Sequence, residues 1–398
     1  MYRISLLALS AIALTACQDA VAPTPTGAPD TPNLSVAPGG AETETIPGQY
    51  IVVFNANARD IPGLARTLTA AHGGTLRFTY QRALRGFAAT LNARAAEALT
   101  HNPNVAFVEQ DQVMRASTTE AGATWGLDRI DQRSLPLSGA YSYNNTGSGV
   151  TAYIIDTGIL FTHNEFAGRA TKGFDAVTSG GTALDCNGHG THVSGTVGGT
   201  TYGVAKGVSL VAVRVLGCSG SGSTSGVIAG IDWVTANHKT PAVANMSLGG
   251  SASTALDNSV RNSIASGVAY AIAAGNGNFI GIAQDACKYS PARVTEAMTI
   301  GATDKTDTKA SWSNYGNCVD WFAPGVGITS AWYTSNSATN TISGTSMATP
   351  HTTGVAALYL QSNPGAKPED VRNALYANTS SGVKNSKTTN NRLLFTNY

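Results

Sequence analysis

Apolar positions fall into three blocks along this chain, separated by polar sequence. The first, 4–14, follows Arg3 and is almost continuously apolar. It is too short for a spanning helix and runs through small residues to Cys17, so it reads as an export leader over 1–17. Positions 18–46 are polar and carry Pro23, Pro25, Pro29, Pro32 and Pro38, with Pro47 at the end; this composition predicts an extended or disordered tether. The second block opens on Gln49-Tyr50-Ile51-Val52-Val53-Phe54, whose β-branched and aromatic residues predict a strand. A helix is expected over 61–71, closed by Gly73-Gly74, then two strands within 76–91 around Leu84-Arg85-Gly86, a helix over 93–99, and a strand at Val105-Ala106-Phe107-Val108-Glu109. That order is the ferredoxin-like α+β arrangement, so a small domain is expected over 47–115. In the third block, from 116 to 398, strands at 150–155, 210–215 and 242–246 alternate with helices at 225–237, 255–266 and 346–361. The alternation predicts an α/β domain whose parallel sheet is covered on both faces, with functional groups at strand and helix ends along one edge.

Composition narrows the function. The 398 residues are 42% apolar and 12% charged, enough for a large core, and the net charge is +1 from 25 basic and 24 acidic residues. With no basic run, nothing predicts a nucleic-acid partner. Five cysteines are an odd set for an exported chain. Leu14-Thr15-Ala16-Cys17 has the form of a bacterial lipobox, which predicts lipid on Cys17; plain cleavage near Ala16 is the alternative. Cys186, Cys218, Cys287 and Cys318 are then left to pair, in one of three connectivities that the residues themselves do not select. No Cys-x-x-Cys spacing supports a zinc site.

Three segments carry an acid, a base and a hydroxyl: Asp156-Thr157-Gly158, His189-Gly190-Thr191-His192, and Gly344-Thr345-Ser346-Met347-Ala348-Thr349-Pro350. Asp156 ends an apolar run, as expected at the end of a buried strand. Ser346 opens an apolar helix, where small neighbours permit an abrupt turn and the free N–H groups favour negative charge; Pro350 is expected in the first turn of that helix. A serine hydroxyl needs a base to become a nucleophile, and a histidine titrates in the right range. Most serines before helices are only caps, and His189 with His192 could suggest a metal, but no third ligand accompanies them. Asp-Thr-Gly is also an aspartic-protease signature, yet a second copy is missing. An α/β-hydrolase esterase fails on chain order and on the absence of Gly-x-Ser-x-Gly.

Together with Asn187-Gly188 before His189 and with Ala274-Gly275-Asn276, these motifs resemble the subtilisin-like serine peptidases (subtilases), in the proteinase K and aqualysin branch, from Trp125 to the end. The resemblance implies a serine endopeptidase acting through an acyl-enzyme. Asp156, His189 and Ser346 would form its triad, and Asn276 would join the Ser346 N–H in stabilising the oxyanion. It implies that Gly220, Ser221 and Gly222 on one side, and Ser247, Leu248 and Gly249 on the other, hold the substrate as an added strand. Ala274 and Gly275 would help form an uncharged first pocket for apolar or aromatic side chains. It further implies disulfides Cys186–Cys218 and Cys287–Cys318, and an inhibitory, chaperone-like prodomain at 47–115 whose last strand, ending near Met114-Arg115-Ala116, lies in the cleft. The precursor would cut itself between Arg115 and Thr124, and the cut would release any lipid-anchored part. No cofactor is expected for catalysis. Structural calcium is expected at Asp320 with the backbone of Thr295 and Ala297, and at Asp128, Asp131 and Gln132 near Ser138. Partners would be polypeptide substrates and the chain's own prodomain. The mature enzyme would be a monomer outside the cell or in the periplasm. The rival reading is an unprocessed lipoprotein whose cleft stays occupied.

Overall fold

Strand and helix periodicities decide how the first unit closes. The structure is a computed structural model that describes residues 45–82, 84–112, 118–278 and 280–398. The leader at 1–17, Cys17, most of the 18–46 tether and the Met114-Arg115-Ala116 segment lie outside the described residues. In β1 (Thr45–Phe54), Tyr50, Val52 and Phe54 alternate onto one face. Helix α1 (Ile61–Ala71) covers that face with Ile61, Ala65 and Leu68, at helical spacing, and its N-cap Asp60 accepts the Gly63 N–H. Strands β2 (Thr75–Tyr80) and β3 (Gly86–Thr90) follow, then α2 (Ala93–Thr100), which adds Ala95 and Leu99 to the same core, and β4 (Val105–Gln112). The sheet order is β2-β3-β1-β4, antiparallel throughout. This is the ferredoxin-like arrangement expected from the pattern, with β4 running three residues past the expected end at Glu109.

The second unit begins with β5 (Thr118–Ala121), α3 (Trp125–Ile130) and β6 (Ala140–Tyr143); β5 pairs antiparallel with β6. Next come β7 (Thr151–Asp156), β8 (Ala170–Asp175), α4 (His189–Gly198), β9 (Ser209–Arg214), α5 (Thr224–Asn237) and β10 (Ala242–Met246). After β11 (Gly250–Ser251), α6 (Thr254–Ala265) and β12 (Val268–Ala273) lie β13 (Tyr289–Ser290), β14 (Met298–Thr303), β15 (Trp321–Pro324), β16 (Ile328–Ala331) and β17 (Thr339–Ile342). Helices α7 (Thr345–Ser362) and α8 (Pro368–Asn378) precede the short strands β18 (Ser380–Ser381) and β19 (Arg392–Leu393).

Nine strands form one sheet in the order β18-β19-β15-β14-β12-β10-β7-β9-β8, parallel except for the β18–β19 pair. The two-residue period of β7 shows how both faces are covered. Ala152 and Ile154 pack with α3, α4, α7 and α8, whereas Tyr153 and Ile155 pack with α5 and α6. Helix α4 was not expected from the sequence. Its residues HGTHVSGTVG are poor helix formers, but every one after His189 is buried, so packing overrides propensity. No helix among the described residues is long and apolar enough to cross a membrane.

Candidate active site

Asp156 is the last residue of β7 and is fully buried. Its Oδ1 accepts the Thr157 N–H at 2.7 Å and meets His189 Nδ1 at 2.8 Å. That contact makes Nδ1 the protonated nitrogen and leaves Nε2 to act as a base. His189 is the first residue of α4, and its side chain is 25% exposed. Burial opposes its charged form, but the charge and hydrogen bond of Asp156 outweigh it, and the His189 pKa lies above its ordinary value.

The spacing of this pair is set by a residue the sequence reading passed over. Asp185 is buried; its Oδ1 accepts Thr157 Oγ1 and the N–H groups of Asn187 and Gly188, while Oδ2 accepts the Thr191 N–H and Oγ1. One carboxylate thus ties the corner after β7 to the first turn of α4. Gly158, at φ 110°, passes so close to Asp185 that a Cβ would lie 2.9 Å from its nitrogen. An Asp shortly before Asn187-Gly188 is the available signal, since Asp side chains cap and turn local backbone.

Ser346 is the second residue of α7. Its Oγ donates to the Ser247 carbonyl at 3.0 Å, and Ser247 Oγ donates back to the Ser346 carbonyl at 2.8 Å. Among the described residues no hydrogen bond joins Ser346 to His189, although both line the same cleft. Pro350 explains why the Ser346 carbonyl is open. Helix α7 starts at Thr345, so Pro350 lies in the second turn, not the first as expected. Lacking an N–H, it cannot bond the carbonyl four residues back, and Ser247 takes that acceptor instead.

Asn276 faces the same turn. Its Oδ1 accepts both the Thr345 N–H and Thr345 Oγ1, each at 2.8 Å. With its oxygen held there, the amide offers its N–H groups, and the Ser346 N–H lies in the first turn of α7 where no intrahelical acceptor exists. Gly275, at φ 99°, lets the loop pass so close to Asn314 that a Cβ there would lie 2.5 Å from Asn314 Nδ2. Asn314 is buried and clamps the loop, donating to the Ala274 carbonyl and accepting the Gly277 and Gln284 N–H groups. No sequence signal marked Asn314.

The cleft is a cavity of about 570 Å³ between His189 and Ser346, with Gly220, Ser221 and Gly222 on one wall and Ser247, Leu248 and Gly249 on the other. An adjoining pocket of about 270 Å³, with no charged lining, is formed by Leu248, Gly249, Ala274, Gly275, Asn276 and Tyr289 among others. The disulfides Cys186–Cys218 and Cys287–Cys318 are present. The first ties the loop before His189 to the cleft wall, where Asn187 Nδ2 also donates to the Cys218 carbonyl.

The two residue sets expected to hold calcium differ. Asp320 Oδ2 accepts the Thr299 N–H and Oδ1 accepts Arg372 Nη2, while the Ala297 carbonyl accepts Arg372 Nε. A guanidinium already meets the carboxylate and carbonyl that the ion would need, so the set of Asp320, Thr295 and Ala297, as arranged here, does not fit calcium. In the second set, both Asp128 oxygens are engaged by Ser138 and Gly139, and Gln132 Nε2 donates to the Ser134 and Pro136 carbonyls. Asp131 Oδ2 accepts the Ser142 N–H, but Oδ1 is buried without a partner among the described residues. Burial, with the nearby Asp128 charge adding to it, pushes the Asp131 pKa up to about 6. An orphaned carboxylate oxygen of this kind does fit a hard cation.

The Subtilase family matches residues 147–395 of this chain, and Peptidase inhibitor I9 matches residues 49–117. The chain is 56% identical over 375 residues to an extracellular serine proteinase of Thermus sp. (strain Rt41A), covering 89% of this chain and 90% of that protein. It is 52% identical over 323 residues to the alkaline serine exoprotease A of Vibrio alginolyticus, covering 79% of this chain and 59% of that one. A solved cold-adapted subtilisin-like serine proteinase is 55% identical, with a TM-score of 0.66, over 69% of this chain and 98% of its own. The chain therefore belongs to the subtilase family: it is a serine endopeptidase with an I9 inhibitor domain ahead of its peptidase domain.

Proposed function

We propose that the chain is exported as a precursor and cuts itself, and that Ser346 attacks peptide bonds as the nucleophile. The observation that carries this is the 2.8 Å Asp156–His189 contact facing Ser346 across one cleft. On substrate binding, the Ser346 hydroxyl leaves the Ser247 carbonyl and gives its proton to His189 Nε2 as Oγ bonds to the scissile carbonyl carbon. Asp156 keeps Nδ1 protonated and stabilises the imidazolium. The Ser346 N–H and Asn276 Nδ2 receive the oxyanion. His189 then protonates the leaving amine, the acyl-enzyme remains, and water activated by His189 releases the acid. The substrate backbone pairs between the two cleft walls, with an apolar side chain in the uncharged pocket.

The proposed division is a leader at 1–17, a tether at 18–46, an inhibitor at 47–115 and a peptidase at 116–398. Because β5 pairs with β6 from Thr118 onward, a cut that preserves this pair falls at or before Thr118. Lipid on Cys17 would mark the precursor and the freed inhibitor but not the mature enzyme, which we take to act as a monomer outside the cell or in the periplasm. Catalysis uses no cofactor; a structural calcium, where bound, would be held by Asp131 with Gln132 and would stabilise the loop after α3.

The test is a time course of intact masses for the wild type and Ser346→Ala. Loss of the segment up to about Thr118 from the wild type alone, followed by casein hydrolysis, is expected. Two full-length, inert proteins would instead support the occupied-cleft lipoprotein, and equal processing of both would assign the cut to another protease.

A further inference from the structure

Asp320 stands just before β15, is 6% exposed, and is bonded on both oxygens. Arg372 reaches it from α8, and the pair is 2.5 Å apart. The same guanidinium donates Nε–H to the Ala297 carbonyl at 3.3 Å. One planar cation thus bridges a carboxylate oxygen and a carbonyl oxygen, the two donor types a hard divalent ion takes. Among the described residues no group of three or more His, Cys, Asp or Glu is placed to hold a metal, here or elsewhere. A single positive charge neutralises Asp320, and the guanidinium's fork matches the two acceptors in direction as well as charge.

We propose that Arg372 is a built-in cation that keeps this pocket closed to divalent ions. The positive charge required beside buried Asp320 is supplied covalently by α8, which is thereby pinned to the loop before β14. Removing the guanidinium would open a cation site on Asp320 and the Ala297 carbonyl. This goes beyond the peptidase reading and does not depend on it.

The experiment counts bound calcium by equilibrium dialysis and measures thermal midpoints in chelator and in calcium. It uses the purified full chain carrying Ser346→Ala, so that self-digestion does not intrude. Added Asp320→Asn is expected to leave the number of bound ions unchanged. Added Arg372→Ala is expected to gain one ion, lost again in Arg372→Ala/Asp320→Asn. At about 10 mM calcium its midpoint should rise by roughly 5 to 10 °C more than that of the parent. Arg372→Gln, neutral and similar in length, replaces Arg372→Ala if that variant does not fold, and Arg372→Lys, still charged, should gain no ion. A parent that loses an ion with Asp320→Asn, or a folded Arg372→Ala or Arg372→Gln that gains none, would overturn the proposal.

Discussion

Ser346 rests with its hydroxyl donating to the Ser247 carbonyl and not to His189, so under the proposed mechanism that hydroxyl must turn before it reacts. Catalytic hydrogen bonds commonly tighten only when substrate fills the cleft. Asn276 needs no such change, because Thr345 holds its oxygen from two sides and leaves its N–H groups as the donors. Asn276→Ala should therefore lower kcat by about two to three orders of magnitude with little change in KM, the cost known for the equivalent loss in subtilisin, a relative of this chain. Steady-state kinetics on a peptide substrate check this. His189 must be neutral to accept a proton, and Asp156 holds its pKa above 6.5. The acid limb of kcat/KM should accordingly lie above that value, and activity should fall as pH drops through it. An NMR titration of the His189 ring in Ser346→Ala gives the same pKa without turnover, and a value below 6.5 would contradict the assignment.

At the scale of elements, the two helices that carry His189 and Ser346 each bury a histidine that the proposed mechanism does not use. His192 on α4 donates Nε2–H to the Ile328 carbonyl, and its Nδ1 has no partner among the described residues. His351 on α7 bonds the Met347 carbonyl through Nδ1. Burial pushes both pKa values down to about 4. Between that value and the ordinary 6.5, the unfolded chain binds protons that the folded chain does not, so stability is lost as pH falls across this window. Asp131, raised to about 6, opposes this loss over part of the window, so the histidine contribution is read by comparison: His192→Gln should flatten the fall of the thermal midpoint between pH 6.5 and 4 relative to the parent, even if it lowers the midpoint at pH 7. Elements were unevenly legible. Strands β7 and β10 and helix α5 were readable from their apolar runs. Helix α4 was not, because glycine and threonine leave no helical pattern and only its buried neighbours hold it. The start of α7 was legible to within one residue, but Pro350 falls in its second turn, tolerated because Ser247 supplies the donor that the proline cannot, a contact that local sequence does not contain.

For the whole molecule, the junction between the two units decides what the proposed maturation would leave behind. Strand β5 is held by its pairing to β6 and by Glu120, which meets Lys206 at 2.7 Å, while that lysine also lies against the rings of Tyr141 and Tyr143. The mature protein should begin at or before Thr118, as N-terminal sequencing would show. Glu120→Gln should lower its stability in denaturant unfolding by no more than about 1 kcal/mol, since the pair is partly exposed. A mature chain starting beyond Ala121 would mean that β5 belongs to the precursor alone.

The sequence by itself determined the class of fold and of enzyme, and it carried the residues of the proposed chemistry. Acid, base, hydroxyl and amide sit in short motifs, and the two-residue and helical periods separate a ferredoxin-like unit from a parallel α/β unit, because both kinds of signal are local. The tertiary structure decided what holds those groups in place. Ser247 and Ser346 are 99 residues apart, Asn276 and Thr345 are 69 apart, and Arg372 reaches Asp320 across 52. Asp185, Asn314 and Arg372 act through hydrogen bonds that exist only once distant segments have packed. A carboxylate that clamps a helix, or an arginine that stands where a cation was expected, looks in the sequence like any other polar residue.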